Sequence, residues 1–121
     1  MKILNFGSLN IDRVYRVAHL VRAGETISSL GYQCFPGGKG LNQSIAAARA
    51  GARVFHAGTV GADGDFLIKL LSESGADVRY VRKTDGITGH ALIQVSDAGE
   101  NCIILYPGAN FDNDTAYMEQ V

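Results

Sequence analysis

Two short stretches of this chain concentrate residue types that can hold a polar small molecule. The first is Gly7-Ser8-Leu9-Asn10-Ile11-Asp12, where an apolar run gives way to an amide and a carboxylate two positions apart. Extended backbone alternates its side chains, so Asn10 and Asp12 fall on one side and Leu9 and Ile11 on the other. The second is Gly37-Gly38-Lys39-Gly40-Leu41-Asn42, set between a strand-like run and a helix-like one. Glycine leaves no Cβ in the way of a ligand and permits positive φ. Leu41, Ile45 and Ala48 repeat at helical spacing, so a helix opens at Gly40-Leu41, and its first amides are expected to lack intrachain partners. Those N–H groups, the positive helix end of roughly +0.5 charge and the Lys39 ammonium together favour an oxygen-rich or anionic group.

Two familiar glycine motifs fail here. The Walker phosphate loop would need glycine where Gln33 stands and Ser or Thr where Gly40 stands. The dinucleotide fingerprint starts at Gly38 and Gly40 but meets Gln43 in place of its third glycine. A structural glycine turn is the plainer reading of Gly37-Gly38, although it does not require Lys39 and Asn42 at a helix mouth. An Asx turn at Asn10 or Asp12 is an equally simple account of that pair.

The elements that must position these residues follow from hydrophobic pattern. Lys2 to Asp12 reads as one buried strand that turns polar at its end, and ligands of open parallel sheets bind beyond such ends. Thr26 to Phe35 is rich in β-formers with thin apolar content. Thr88 to Val95, a turn at 96–100 and Asn101 to Tyr106 form a second such pair. Together they predict a small antiparallel sheet that needs cover, with an ordinary surface hairpin as the competing reading. Between them lies an α/β core. It comprises a helix from Leu41 to Ala50 ended by Gly51, a strand from Val54 to Val60, a helix with Phe66, Leu67, Leu70 and Leu71 on one face, closed by Gly75, and a strand from Val78 to Val81. Asp63 is placed to cap the second helix. Strand and helix alternate, which argues for a parallel sheet. Asp112, Asn113 and Asp114 begin a last helix whose interior is Met118 to Val121.

The 121 residues suit one domain that buries roughly two-thirds of its unfolded surface. Net charge of −1 and a pI near 6.3, with no basic run, give no reason to expect nucleic acid or an anionic membrane. Cys34 and Cys102 have no metal-ligand spacing and suit a reducing cytosol, reading as small apolar residues. No run reaches membrane-spanning length and no secretory cleavage pattern follows Met1, so a cytoplasmic protein is expected. His19, His56 and His90 share no face or ligand spacing and are assigned no chemistry, and the five tyrosines read as packing and surface groups.

Gly37-Gly38-Lys39-Gly40-Leu41-Asn42-Gln43-Ser44, followed by Gly51 and Gly61, resembles the amino-terminal signature of the ribokinase family, the phosphofructokinase-B-like carbohydrate kinases. Gly7 to Asp12, Gly24-Glu25-Thr26 and Gly108-Ala109-Asn110 extend the resemblance along essentially the whole chain. It implies an α/β chain forming the N-terminal part of a ribokinase-like fold. A parallel sheet with flanking helices would carry a small antiparallel β lid made by segments about 13–36 and 87–108. Residues 1–121 would be a single truncated sugar-kinase domain, the substrate-binding half. The absent C-terminal half would hold the catalytic aspartate, the anion hole, the site for ATP and Mg2+, and a monovalent-cation loop. The resemblance further implies that Asn10, Asp12, Gly38, Lys39 and Asn42 orient a sugar, Asp12 accepting from its hydroxyls and Lys39 donating. Ala91 and Leu105 would form an apolar wall, and the lid would clasp that of a second subunit in a homodimer. No catalytic or nucleotide-binding residue is expected in this chain. Gly61-Ala62-Asp63-Gly64-Asp65 superficially resembles the family's catalytic stretch, but it lacks the preceding Asp-Thr and follows the second core strand, so Asp63 is read as a helix cap. The implied reaction is transfer of the γ-phosphoryl group of ATP to a primary sugar hydroxyl. Ribose is the favoured sugar, with a nucleoside or keto-sugar acid as alternatives. A non-catalytic sugar-binding or dimerising module is the competing function, and a dinucleotide-binding domain is disfavoured by the failed fingerprint.

Overall fold

The computed structural model describes residues 1–121. In chain order its elements are β1 (Lys2–Phe6), β2 (Asn10–Val17), β3 (Gly31–Gly37), α1 (Lys39–Arg49), β4 (Arg53–Val60), α2 (Asp65–Glu73), β5 (Asp77–Lys83), β6 (Gly89–Ser96), β7 (Asn101–Tyr106), a 3-10 turn (Gly108–Phe111) and α3 (Thr115–Gln120).

Three strands in the order β1-β4-β5 make an all-parallel core sheet, as the alternation of strands and helices predicts. Helices α1 and α2 lie on one face, where Leu41, Leu67 and Leu71 close with Leu9, Ile11, Val60 and Ala76 into one buried cluster. On the other face Phe6 meets the ring of Tyr117 from α3. The Tyr117 hydroxyl accepts from the Gly58 amide at 2.9 Å and lies between the carbonyls of Gly58 and Tyr80, joining α3 to both β4 and β5. Gly51 (φ 96°) and Gly75 (φ 99°) follow the C-caps of α1 and α2 in the left-handed conformation that ends a helix.

The second sheet has four strands in the order β3-β2-β6-β7. It contains the antiparallel pairs expected of the lid and adds one feature to them. The pairs β2–β3 and β6–β7 are antiparallel, but β2 and β6 run parallel over Asn10 to Val17, so the lid is mixed. Its first strand also begins at Asn10 rather than at 13. Within Thr26 to Phe35 only the part from Gly31 is strand, while 18–30 cross the sheet's back, tied by Val21 N–H to Gln94 Oε1 at 2.9 Å.

The single strand expected over Lys2 to Asp12 is two. Gly7 still donates to Ala57 O of β4, but the next backbone groups leave that ladder for other partners. Ser8 O accepts from Leu41 N at 3.0 Å, and Leu9 N donates to Asn110 Oδ1 at 3.0 Å. Helix α1 can reach Ser8 only because two glycines meet there. A Cβ on Gly7 would stand 2.6 Å from Gly40 Cα, and one on Gly40 would stand 2.5 Å from Gly7 Cα.

Two smaller expectations also change. Asp63 does not cap α2, whose N-cap is Gly64 without a side-chain bond. Instead its carboxylate accepts from Thr88 N at 3.0 Å and lies 3.7 Å from the Arg13 guanidinium, linking the end of β4 to the start of β6. The cysteines, read as small apolar residues, are exposed on the lid, and Cys34 Sγ lies 2.8 Å from the Tyr32 hydroxyl.

Candidate functional site

Period-2 alternation survives the break at 7–9. Leu9 and Ile11 are buried in the core, and Asn10 and Asp12 face the other way at the root of the lid. Register then lines up the sheet's rows: Phe35, Asp12, Ala91 and Leu105 oppose one another across all four strands, and Gly37, Asn10 and Gly89 form the next row.

Asp12 rests directly on the glycine turn. A Cβ at position 37 would fall 2.6 Å from its carboxylate, so any larger residue there would displace the Asp12 side chain from this position. Burial pushes the Asp12 carboxyl above its ordinary range, and no donor or cation of the chain opposes that shift. A half-buried carboxylate in that state gains from any hydroxyl that donates to it. Gly38, at φ 100°, turns the chain from β3 into α1, and a Cβ there would lie 2.7 Å from Ser8 O and 3.2 Å from Asn10 N. The structure therefore brings Asn10, Asp12, Gly37 and Gly38 into one small volume at the helix start.

The remaining predicted residues lie around this centre at different depths. Lys39 and Asn42 occupy the exposed first turn of α1. Ala91 is 4 % exposed beside Asp12, whereas Leu105 is 69 % exposed on the edge strand, two strand spacings or about 10 Å away.

The expected free amides at the mouth of α1 are largely taken. Leu41 N donates to Ser8 O, Gly40 N reaches Ser8 Oγ at 3.4 Å, and Asn42 N donates to Gly38 O. With Leu41 N engaged and Gly40 N directed at Ser8 Oγ, the helix mouth has lost much of the amide character expected of an anion site. What it offers a ligand is side-chain chemistry: an amide, a carboxylate and an ammonium.

Two polar networks that sequence reasoning did not assign hold the site in place. Beneath it, Asn5 Nδ2 donates to Gly40 O and to Ser44 Oγ, each at 2.9 Å. Ser44 Oγ lies 2.6 Å from His56 Nδ1, and His56 Nε2 lies 3.2 Å from Gly7 O. Every group is satisfied when Ser44 donates to Nδ1 and a neutral imidazole donates from Nε2 to the carbonyl. Burial holds His56 below its ordinary pKa against the opposing Gly7 hydrogen bond, in keeping with that neutral form. The available signal was a polar residue inside each of two largely apolar strands, and register makes Asn5 and His56 direct neighbours. The second network reaches Asn10 through Asn110, whose Nδ2 donates to Asn10 Oδ1 at 2.6 Å. Gly108-Ala109-Asn110 stood out in the sequence, but nothing there linked it to Asn10.

An apolar groove of about 400 Å³ lies between residues 17–29 and the lid, lined by Tyr15, Val17, Ile27, Leu92 and Ile104. Those strand residues have the opposite parity to Asp12 and Ala91, so the groove opens on the other face of the lid.

A parallel sheet carrying helices, with a four-stranded lid rooted beside a carboxylate and a glycine turn, defines an α/β domain of the ribokinase-like fold. The chain belongs to the pfkB family of carbohydrate kinases, whose sequence profile matches residues 1–121. It is 39% identical over 124 residues to the ribokinase of Bacillus subtilis, covering 95% of this chain and 41% of that protein. A solved ribokinase from Cryptococcus neoformans in complex with ADP superposes with a TM-score of 0.88 at 43% identity, covering 94% of this chain and 36% of that one. The Arabidopsis thaliana ribokinase complexed with ribose and ATP superposes with a TM-score of 0.77 at 34% identity, covering 90% of this chain and 36% of that one. The chain thus spans about two-fifths of the length of these relatives. No helix in it is long and apolar enough to cross a membrane.

Proposed function

We propose that this chain is the amino-terminal, sugar-binding part of an ATP-dependent carbohydrate kinase that phosphorylates a primary hydroxyl, with ribose the favoured sugar. The observation that carries this reading is the Asp12 carboxylate, half-buried against Gly37 with no donor of its own. Sugar hydroxyls supply what it lacks. Asp12 accepts from the sugar, Asn10 and Lys39 donate to it, and Asn42 adds a further polar contact. Gly38 brings backbone close, and Ala91 forms an apolar floor with Leu105 at its outer rim. Phosphoryl transfer depends mainly on positioning and charge stabilisation, and positioning the acceptor hydroxyl is the share of this chain. The residues present do not fit a nucleotide, because the glycine turn follows neither phosphate-loop pattern and its helix amides are engaged by Ser8. ATP, Mg2+ and a monovalent cation are accordingly assigned to polypeptide other than this chain. Similarity to ribokinases favours ribose over a nucleoside or keto-sugar acid.

A homodimer through the lid belongs to the same reading. Ile103, Ile104 and Leu105 are 51%, 63% and 69% exposed on the edge strand β7. An apolar edge of this kind needs a covering surface. A cytoplasmic setting accords with the two free thiols.

Calorimetry with ribose, on the wild-type chain and on Asp12→Ala, tests the proposal. Each charge-assisted hydrogen bond contributes about 1.5–3 kcal/mol, so losing one or two weakens binding at least tenfold. Equal affinity for both proteins would remove Asp12 from the site. A phosphorylation assay on the 121-residue chain should show no turnover, and turnover would overturn the assignment of the nucleotide to other polypeptide.

A further inference from the structure

We infer that Asn110 is a positioning residue that dictates which end of the Asn10 amide meets the ligand. The inference rests on the sugar-binding reading above, and it follows from a chain of hydrogen bonds with one unambiguous end. The backbone amide of Leu9 can only donate, so the Asn110 atom 3.0 Å from it must be the side-chain oxygen. Nδ2 of Asn110 is thereby directed at Asn10, and the Asn10 atom 2.6 Å away must be its oxygen. The amide nitrogen of Asn10 is the end left over, with hydrogens free to donate.

Asn110 is itself fixed to the core. Its backbone N–H donates to Pro107 O at 3.1 Å, and its carbonyl accepts from Asn113 Nδ2 at 2.8 Å. Asn113 Oδ1 in turn accepts from the buried Thr59 hydroxyl of β4 at 2.6 Å. The two asparagine side chains meet over Gly89, where a Cβ would lie 2.6 Å from Asn10 Oδ1. A continuous line of hydrogen bonds thus runs from the core sheet to the root of the lid.

The consequence is a site of fixed polarity. Asn10 presents a donor, and Asp12, two residues along on the same face, presents only acceptors. A sugar oxygen at Asn10 accepts from the amide nitrogen, while sugar hydroxyls at Asp12 donate to its carboxylate. Turning the Asn10 amide over would leave the mouth with two acceptors side by side.

Asn110→Asp makes that inversion. One carboxylate oxygen still accepts from Leu9 N, the other can only accept, and Asn10 turns its nitrogen inward and its oxygen toward the ligand. Asn10→Asp presents the same oxygen without disturbing Asn110, and so serves if the first variant fails to fold. The test is a calorimetric titration of the chain and both variants with ribose and with its singly deoxygenated analogues. The side-chain amide protons are followed in parallel by 15N NMR without sugar. The wild type should show the Asn110 amide protons bonded and those of Asn10 open to solvent, and Asn110→Asp should reverse the Asn10 signature. Ribose affinity should fall about 10- to 100-fold in either variant, while the one analogue lacking the hydroxyl at Asn10 should bind wild type and variants alike. An unchanged Asn10 signature in Asn110→Asp, or a uniform loss across every analogue, would overturn the inference. A wild-type chain that shows the expected amide pattern but binds no sugar would instead overturn the sugar-binding reading, and with it the ligand role given to Asn10.

Discussion

Replacing Gly40 with alanine should destabilise this protein, although the same change within an exposed helix normally stabilises by about 0.5–1 kcal/mol. The added methyl would lie 2.5 Å from both Gly7 Cα and Ser8 N, whereas ordinary contact begins at 3.4 Å. Both neighbours are backbone, so no rotamer change relieves the clash, and the helix start must retreat by about 1 Å. That retreat stretches the 3.0 Å bond from Leu41 N to Ser8 O beyond useful range. Overpacking of this kind costs about 1–3 kcal/mol and the lost hydrogen bond about 1 more. After the propensity gain, the net loss is about 1–3 kcal/mol, or a Tm lower by about 5–15 °C in a domain of this size. Thermal and urea melts followed by far-UV circular dichroism, run beside Ala46→Gly on the exposed side of α1 as an ordinary helix control, measure the difference. On the proposed sugar-binding reading, ribose affinity should weaken too, because Lys39 and Asn42 ride on the displaced turn. A Gly40→Ala protein as stable as wild type would refute the claim that α1 is seated backbone-to-backbone on Gly7-Ser8.

Two further perturbations address the supports of the site. His56 is held neutral in the fold, with a pKa below the roughly 6.5 it has when unfolded. The unfolded chain therefore binds the extra proton first, and stability falls as pH drops from about 6.5 toward the folded pKa, by up to about 1.4 kcal/mol per pH unit. Urea midpoints at pH 7.5 and 5 should show this loss in wild type and less of it in His56→Gln, and parallel curves would remove His56 as the titrating group. Tyr117→Phe leaves the Gly58 amide without its side-chain acceptor inside the sheet, which should cost about 1–3 kcal/mol in a thermal melt. Tyr32→Phe, on the exposed lid, should cost under about 0.5 kcal/mol, and equal losses would refute an anchoring role for α3.

Which features were legible in the sequence follows from the range of the forces that set them. The core helices, the strands β4 and β5 and the turns at Gly51 and Gly75 depend on local periodicity and on φ at single residues, so neighbours in sequence determine them. The same holds for Asn10 and Asp12 facing one way, since period-2 alternation needs only extended backbone. Other features needed partners far along the chain. Leu41 and Asn110 take the backbone groups at Ser8 and Leu9 and divide what reads as one apolar strand, the latter from 101 residues away. Parallel pairing of β2 with β6 makes the lid mixed, and Thr88 with Arg13, rather than α2, claims Asp63. A donor or acceptor can be seen in a sequence, but which partner satisfies it depends on where the chain returns. For this protein the residue types of the site were fixed by composition and spacing, whereas the orientation of the Asn10 amide and the seating of α1 were decided only when distant backbone closed against them.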